Sequence, residues 1–166
     1  MKDTKYRKRL GEWGETQVDI WLEKHQWIPI QKNLKLKRGE IDRIYSSNKE
    51  GKDNHLCFAE IKTNTITSYK TLFEIFSEIG IKKYIKSHQI RNLRYFSENL
   101  FLRYQAKIYI RIFIILKIKF KFNKSCLLNL NSSIKICFIC DEFIILSIEP
   151  EFTNLNIKKN ILEVLI

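Results

Sequence analysis

Glycine and proline are scarce in this chain, at 5 and 2 of 166 residues. That excludes collagen-like and proline-rich classes and predicts few tight turns between long regular elements. No stretch of about 18 uncharged apolar residues occurs, so no membrane span is expected. The basic N-terminus, Met1 to Arg9, runs into a polar helical pattern without an apolar signal-peptide core. A cytoplasmic protein with reduced thiols is the expectation. The four cysteines, Cys57, Cys126, Cys137 and Cys140, show no zinc spacing beyond the lone Cys137-x-x-Cys140. On a strand that spacing puts the two sulfurs on opposite faces, so buried free thiols are the better reading. His25, His55 and His88 form no ligand pair, and there is no glycine-rich phosphate loop, nucleophile elbow, internal repeat or Gly/Ser/Pro linker.

What is present is a globular mix, 45% hydrophobic and 29% charged, with a formal net charge of +12. Residues 1–45, 46–100 and 101–166 carry 11, 9 and 10 basic residues against 7, 6 and 5 acidic ones. The excess is therefore spread evenly rather than gathered in a tail. A basic balance favours polyanionic partners. A chain rich in Ile, Lys and Asn would also show it from composition alone.

Hydrophobic spacing predicts a helix over 5–26, with Leu10, Gly14, Val18, Trp21 and Leu22 on its buried stripe. Glu15 falls about 20° from Leu22, at the border of that stripe, an unusual place for a carboxylate. Extended segments follow over 27–36 and 40–45. A polar hairpin loop spans 46–55, and a strand over 56–63 is apolar on both faces at its start, as a central strand would be. Helical spacing returns at Leu72, Phe73, Phe76 and Ile79, stopped at Gly80, and again from 81 to 100. Residues 107–122 alternate, with Ile and Phe on one face and Lys107, Arg111, Lys117, Lys119 and Lys121 on the other. This reads as a half-buried strand with a basic stripe, either a solvated sheet face or a phosphate contact. Strands near 134–140 and 143–149 and a closing helix over 152–166 complete the pattern. The expectation is an α/β domain over 1–122, with a β-rich extension over 123–166 packed on it.

One constellation stands out. Asp42 and Glu60-Ile61-Lys62 lie on the two arms of the predicted hairpin. Alternation puts Glu60 and Lys62 on one face, and pairing across the loop can set Asp42 beside Glu60. Two adjacent carboxylates repel unless a cation lies between them. Oxygen donors select a hard ion, Mg²⁺ or Mn²⁺. A lysine alongside would place positive charge at an attacked phosphate or assist deprotonation of water. Glu-x-Lys alone is nearly worthless, since chance gives about two copies in such a chain. A second copy, Glu50-Gly51-Lys52, does lie in the polar loop. The copy at 60–62 differs in its apolar strand context.

The series Gly11-Glu12-Trp13-Gly14-Glu15, Lys32-Asn33, Gly39-Glu40-Ile41-Asp42 and Phe58-Ala59-Glu60-Ile61-Lys62 resembles the bacterial YraN family, over about residues 8–115. That family is largely uncharacterised and has a restriction-endonuclease-like fold, similar to archaeal Holliday-junction resolvases. The resemblance implies a central mixed sheet flanked by helices and a PD-(D/E)xK site. Asp42 and Glu60 would be ligands of Mg²⁺ (or Mn²⁺), and Lys62 the catalytic lysine. Glu15 would support the metal or its water, while Glu40 brackets the site. Lys86, Arg38 and Arg43 would contact nucleic acid. The implied partner is DNA, branched DNA included, with a homodimer if the protein is resolvase-like, and the implied reaction is phosphodiester hydrolysis. The alternative is a non-catalytic module that binds nucleic acid or protein on the same fold. The chain departs from the family at Arg111-Ile112-Phe113-Ile114-Ile115, where an Arg-Phe-Asp-Val-like strand would carry an Asp.

Overall fold

The computed structural model describes residues 3–37, 39–47, 55–76, 83–84, 86–104, 106–127 and 134–149. Helix α1, Thr4–Lys24, starts where the Asp3 carboxylate accepts the Lys5 N–H at 2.9 Å. It ends at His25, whose N–H donates to the Leu22 carbonyl at 2.9 Å, and the chain reverses through Gln26 at φ 66°. Gly14, Val18, Trp21 and Leu22 form its buried face, as the spacing predicted, but Leu10 is only half-buried, and Asp19 joins the buried residues.

Strands β1 (Trp27–Leu36), β2 (Gly39–Ser47) and β3 (His55–Ile66) form an antiparallel run. Helices α2 (Tyr69–Phe76) and α3 (Ser87–Tyr104) then cross over to β4 (Lys107–Ile118), which pairs parallel to β3. A crossover is needed because parallel neighbours cannot be joined by a tight turn. A 3-10 turn, Lys124–Leu127, leads to β5 (Lys135–Ile139) and β6 (Phe143–Ile148). The six strands form one mixed sheet in the order β1-β2-β3-β4-β6-β5. The α/β class with a mixed sheet flanked by helices is thus the observed architecture. Because β6 pairs antiparallel with β4, the C-terminal strands extend this same sheet.

Two apolar cores cover its faces. Under α1, Val18, Trp21 and Leu22 pack on Tyr45, Ala59, Phe113 and Ile115. On the other face, Leu72 and Ile75 of α2 and Leu93 and Phe96 of α3 pack on Phe58, Ile112, Ile114 and Leu146.

Several expectations change. The strand over 107–122 ends at Ile118 and is not half-buried: residues 109–116 are buried on both faces. The face carrying the supposed basic stripe also carries Tyr109, Phe113 and Ile115, and α1 lies over it. Arg111 is buried and paired with Glu149 at 3.0 Å, and Lys117 sits over the Trp13 ring at 4.4 Å. Lys107, Lys119 and Lys121 alone of that set are exposed. In α2, Ile75 joins the buried face and Phe73 points outward. Helix α3 occupies Ser87–Tyr104 rather than 81–100. Residues 81, 82 and 85, the closing helix at 152–166, Ile79 and Gly80 lie outside the described residues. Cys57 is buried, and its thiol is pushed up to about 12 by burial.

Candidate active site

The site forms where two strands part. The β2–β3 ladder runs from Ser46↔Leu56 to Arg43↔Ala59, and Asp42 and Glu60 would be the next pair. Instead, the Asp42 carboxylate turns in and its Oδ2 accepts the Ile61 N–H at 2.7 Å. From there β3 continues to Ile66 paired to β4. Strict alternation in β2 breaks at this point, since Ile41 and Ile44, three residues apart, share one core. Across the β1–β2 ladder, between the pairs Lys32↔Arg43 and Leu34↔Ile41, Asn33 has φ 48°. Such a local irregularity re-aims a side chain beside a ladder.

Glycines hold the surrounding elements close. A Cβ on Gly14 would lie 1.9 Å from Thr63 Oγ1, so α1 can approach β3 beside the site only with glycine there. Gly39, at φ +150°, faces Asn92 of α3, whose Nδ2 would lie 2.9 Å from an added Cβ.

Glu60 is buried in a strand, and its Oε1 accepts from both Lys62 Nζ and Gln89 Nε2, the latter at 2.6 Å. Burial raises its pKa above 4.5, and the neighbouring Asp42 charge adds to that, while Lys62 opposes it. Asp42 is likewise raised, above 3.8, by burial, against the Ile61 N–H and the Lys62 charge. The exposed Glu40 pushes both in the same direction. Lys62 is one-third exposed, with its ammonium bonded to Glu60 at the solvent side. The sequence-predicted Asp42, Glu60 and Lys62 are therefore together. Each carboxylate keeps a second oxygen that none of these bonds uses.

Glu15 reaches the same place from α1 but engages a partner. Arg43 Nη2 lies 2.6 Å from Glu15 Oε2, and Arg43 Nε lies 3.3 Å from Asp19 Oδ1. Arg43 Nη1 also donates to the Asp42 carbonyl at 2.9 Å. Asp19 accepts from the Tyr45 hydroxyl at 2.7 Å and faces Lys32 Nζ at 3.5 Å. Burial raises the Glu15 pKa, Arg43 opposes this, and the Asp42 and Asp19 charges add to the rise. Arg43, 5% exposed, is turned into the protein rather than toward a phosphate in solvent. Lys86 is exposed just before α3, and its carbonyl accepts the Gln89 N–H at 2.9 Å. Arg38 lies outside the described residues.

Sequence reasoning missed Gln89, Asp19 and Tyr45. No motif marks Gln89, 29 residues from Glu60. Helical spacing gave no signal for Asp19, which falls about 60° beyond Leu22 and outside the apolar stripe. Among the described residues, no group of three or more His, Cys, Asp or Glu side chains is placed to hold a metal. The donors are two carboxylates, Asp42 and Glu60. That suits Mg²⁺, which keeps several waters and is commonly held by one or two carboxylates together with substrate phosphate.

An α/β protein whose mixed sheet opens onto a paired-carboxylate site is the class that fold and site define. The profile described as "Uncharacterised protein family UPF0102" matches residues 14–116, and the chain belongs to this family, the YraN-like family that its motifs resemble. A UPF0102 protein of Clostridium novyi is 32% identical over 118 residues, covering 71% of this chain and 79% of the relative. One from Acaryochloris marina is 41% identical over 59 residues, 33% of this chain and 34% of the relative. One from Treponema pallidum is 37% identical over 68 residues, 41% of this chain and 50% of the relative. The chain thus spans between about a third and four-fifths of these relatives' lengths. Among the described residues, no helix is long and apolar enough to cross a membrane.

Proposed function

We propose that the protein is a Mg²⁺- or Mn²⁺-dependent nuclease of the PD-(D/E)xK type acting on DNA. The observation that carries this reading is the meeting of Asp42 and Glu60, from two parting strands, with Lys62 at the solvent side. The buried Glu60 and the half-buried Asp42, both with raised pKa values, form a place that a cation would relieve. Asp42 and Glu60 would hold the ion. When bound, such an ion supplies Lewis acidity and a hydroxide-like nucleophile at neutral pH.

The chain's own residues do the rest. The Ile61 N–H holds one Asp42 oxygen, and Gln89 with Lys62 holds one Glu60 oxygen, which leaves the other oxygen of each carboxylate to serve as a ligand. The Lys62 ammonium, bonded to Glu60, would supply positive charge to a phosphate brought to the ion. The net charge of +12 favours a polyanion over a neutral or cationic substrate.

The test is nicking of supercoiled and branched DNA in Mg²⁺ or Mn²⁺, wild type against Glu60→Ala and Lys62→Ala. Both variants are expected to lose activity by about 100-fold or more, and EDTA to abolish it in the wild type. Equal activity of wild type and Glu60→Ala, or cleavage in EDTA, overturns the assignment. DNA binding without cleavage by the wild type would leave the non-catalytic module as the reading.

A further inference from the structure

The two acidic groupings at this place differ in charge balance. Glu15 and Asp19 are answered by Arg43 and Lys32. Asp42 and Glu60, with the exposed Glu40 acting on both, are answered by Lys62. We propose that Arg43 fills the cationic place beside Glu15, so that the site takes one divalent cation per chain, on Asp42 and Glu60, with Glu15 outside its ligand set. This rests on the metal-dependent reading above and specifies its stoichiometry.

The guanidinium is not free to leave. It is buried and tied to Glu15, to Asp19 and to the Asp42 carbonyl. Asp19 is itself held by the Tyr45 hydroxyl and by Lys32. A second divalent ion ligated by Glu15 would have to displace this guanidinium or stand against its positive charge at close range. Displacing it would also leave a buried charge without its partners, which is costly. Arg43 thereby acts as a positioning residue. It orients Glu15 and pins the β2 backbone at Asp42, and touches neither ion nor phosphate.

The experiment is titration of the full chain with Mn²⁺, read by electron paramagnetic resonance of free Mn²⁺ and by calorimetry, without DNA. One Mn²⁺ per chain is expected in the wild type. Glu15→Gln, whose amide oxygen can still accept from Arg43, should change the Kd less than fivefold, whereas Glu60→Gln should weaken it more than fivefold. Two Mn²⁺ per chain, or a loss above fivefold in Glu15→Gln, overturns the inference and leaves the nuclease reading standing. Absence of Mn²⁺ binding to the wild type removes both. If Glu15→Gln does not fold, the wild-type stoichiometry alone decides.

Discussion

Glu60 and Asp42 are held in a folded state that disfavours their charge. Each has a folded pKa above its ordinary value, 4.5 for Glu60 and 3.8 for Asp42. Their stabilising contribution is therefore complete below those ordinary values and is lost as pH rises through the raised ones. Glu60→Gln avoids that loss and keeps an acceptor for Lys62 and Gln89. Without divalent ion, its Tm is expected to exceed that of wild type increasingly as pH climbs from 4 to 8, measured by circular dichroism melts. Mg²⁺ should raise the wild-type Tm selectively at the upper end. A wild type more stable than Glu60→Gln at pH 8 in EDTA would contradict the arrangement. At this scale the sequence made Asp42, Glu60 and Lys62 legible, because alternation sets Glu60 and Lys62 on one face and the hairpin ends beside Asp42, although the break in β2 at Asp42 was not legible. The Arg43 pairing was not legible, because an arginine in a strand reads as a surface cation until α1 is placed over it. Gln89 was silent because a neutral amide on a helix gives no pattern that points to a strand carboxylate.

The meeting of α1 and β3 depends on Gly14 as a missing side chain. Gly14→Ala would place a methyl against Thr63 and force α1 outward beside Glu15. The expected cost is roughly 1–3 kcal/mol, as for other overpacked contacts, measured by urea denaturation. Thr63→Ala should recover part of it by removing the Oγ1 and Cγ2 atoms nearest the added methyl. An unchanged midpoint in Gly14→Ala would mean that the helix does not rest on β3 as described. Element boundaries were largely readable: the apolar stripe gave α1, and the run of polar residues gave the β2–β3 hairpin. The strand at 107–118 misled because alternating lysines imply one wet face. Lys107 and Lys117 lie near its two ends, and the odd residues between them include Tyr109, Phe113 and Ile115 under α1. Arg111 enters the interior with them, paired to Glu149.

For the whole molecule, the even spread of positive charge predicts how the proposed DNA contact behaves. Binding of duplex DNA in EDTA should weaken with salt. If about three phosphates are neutralised, affinity falls about 40-fold between 50 and 200 mM monovalent salt. Fluorescence anisotropy of a labelled duplex would measure it, and a salt-independent Kd would contradict a phosphate-borne interaction. The layered α/β plan was legible from element order. The strand order was not, because nothing in local patterning says that β6 returns to pair with β4 or that β5 lies outermost. That order has a consequence beyond topology. The family match stops at residue 116, yet β4 is paired along 112–117 by β6, which comes later in the chain. Stripped of that cover, β4 would offer open peptide groups beside side chains that are apolar on both faces, a ready template for intermolecular association. The β5–β6 hairpin takes the outer position instead, presenting a five-residue strand led by Lys135 and broken by a register shift between Ile136 and Phe138. Removing the segment beyond the family match is therefore expected to make the chain prone to edge-to-edge association, read by light scattering of a chain ending at residue 122.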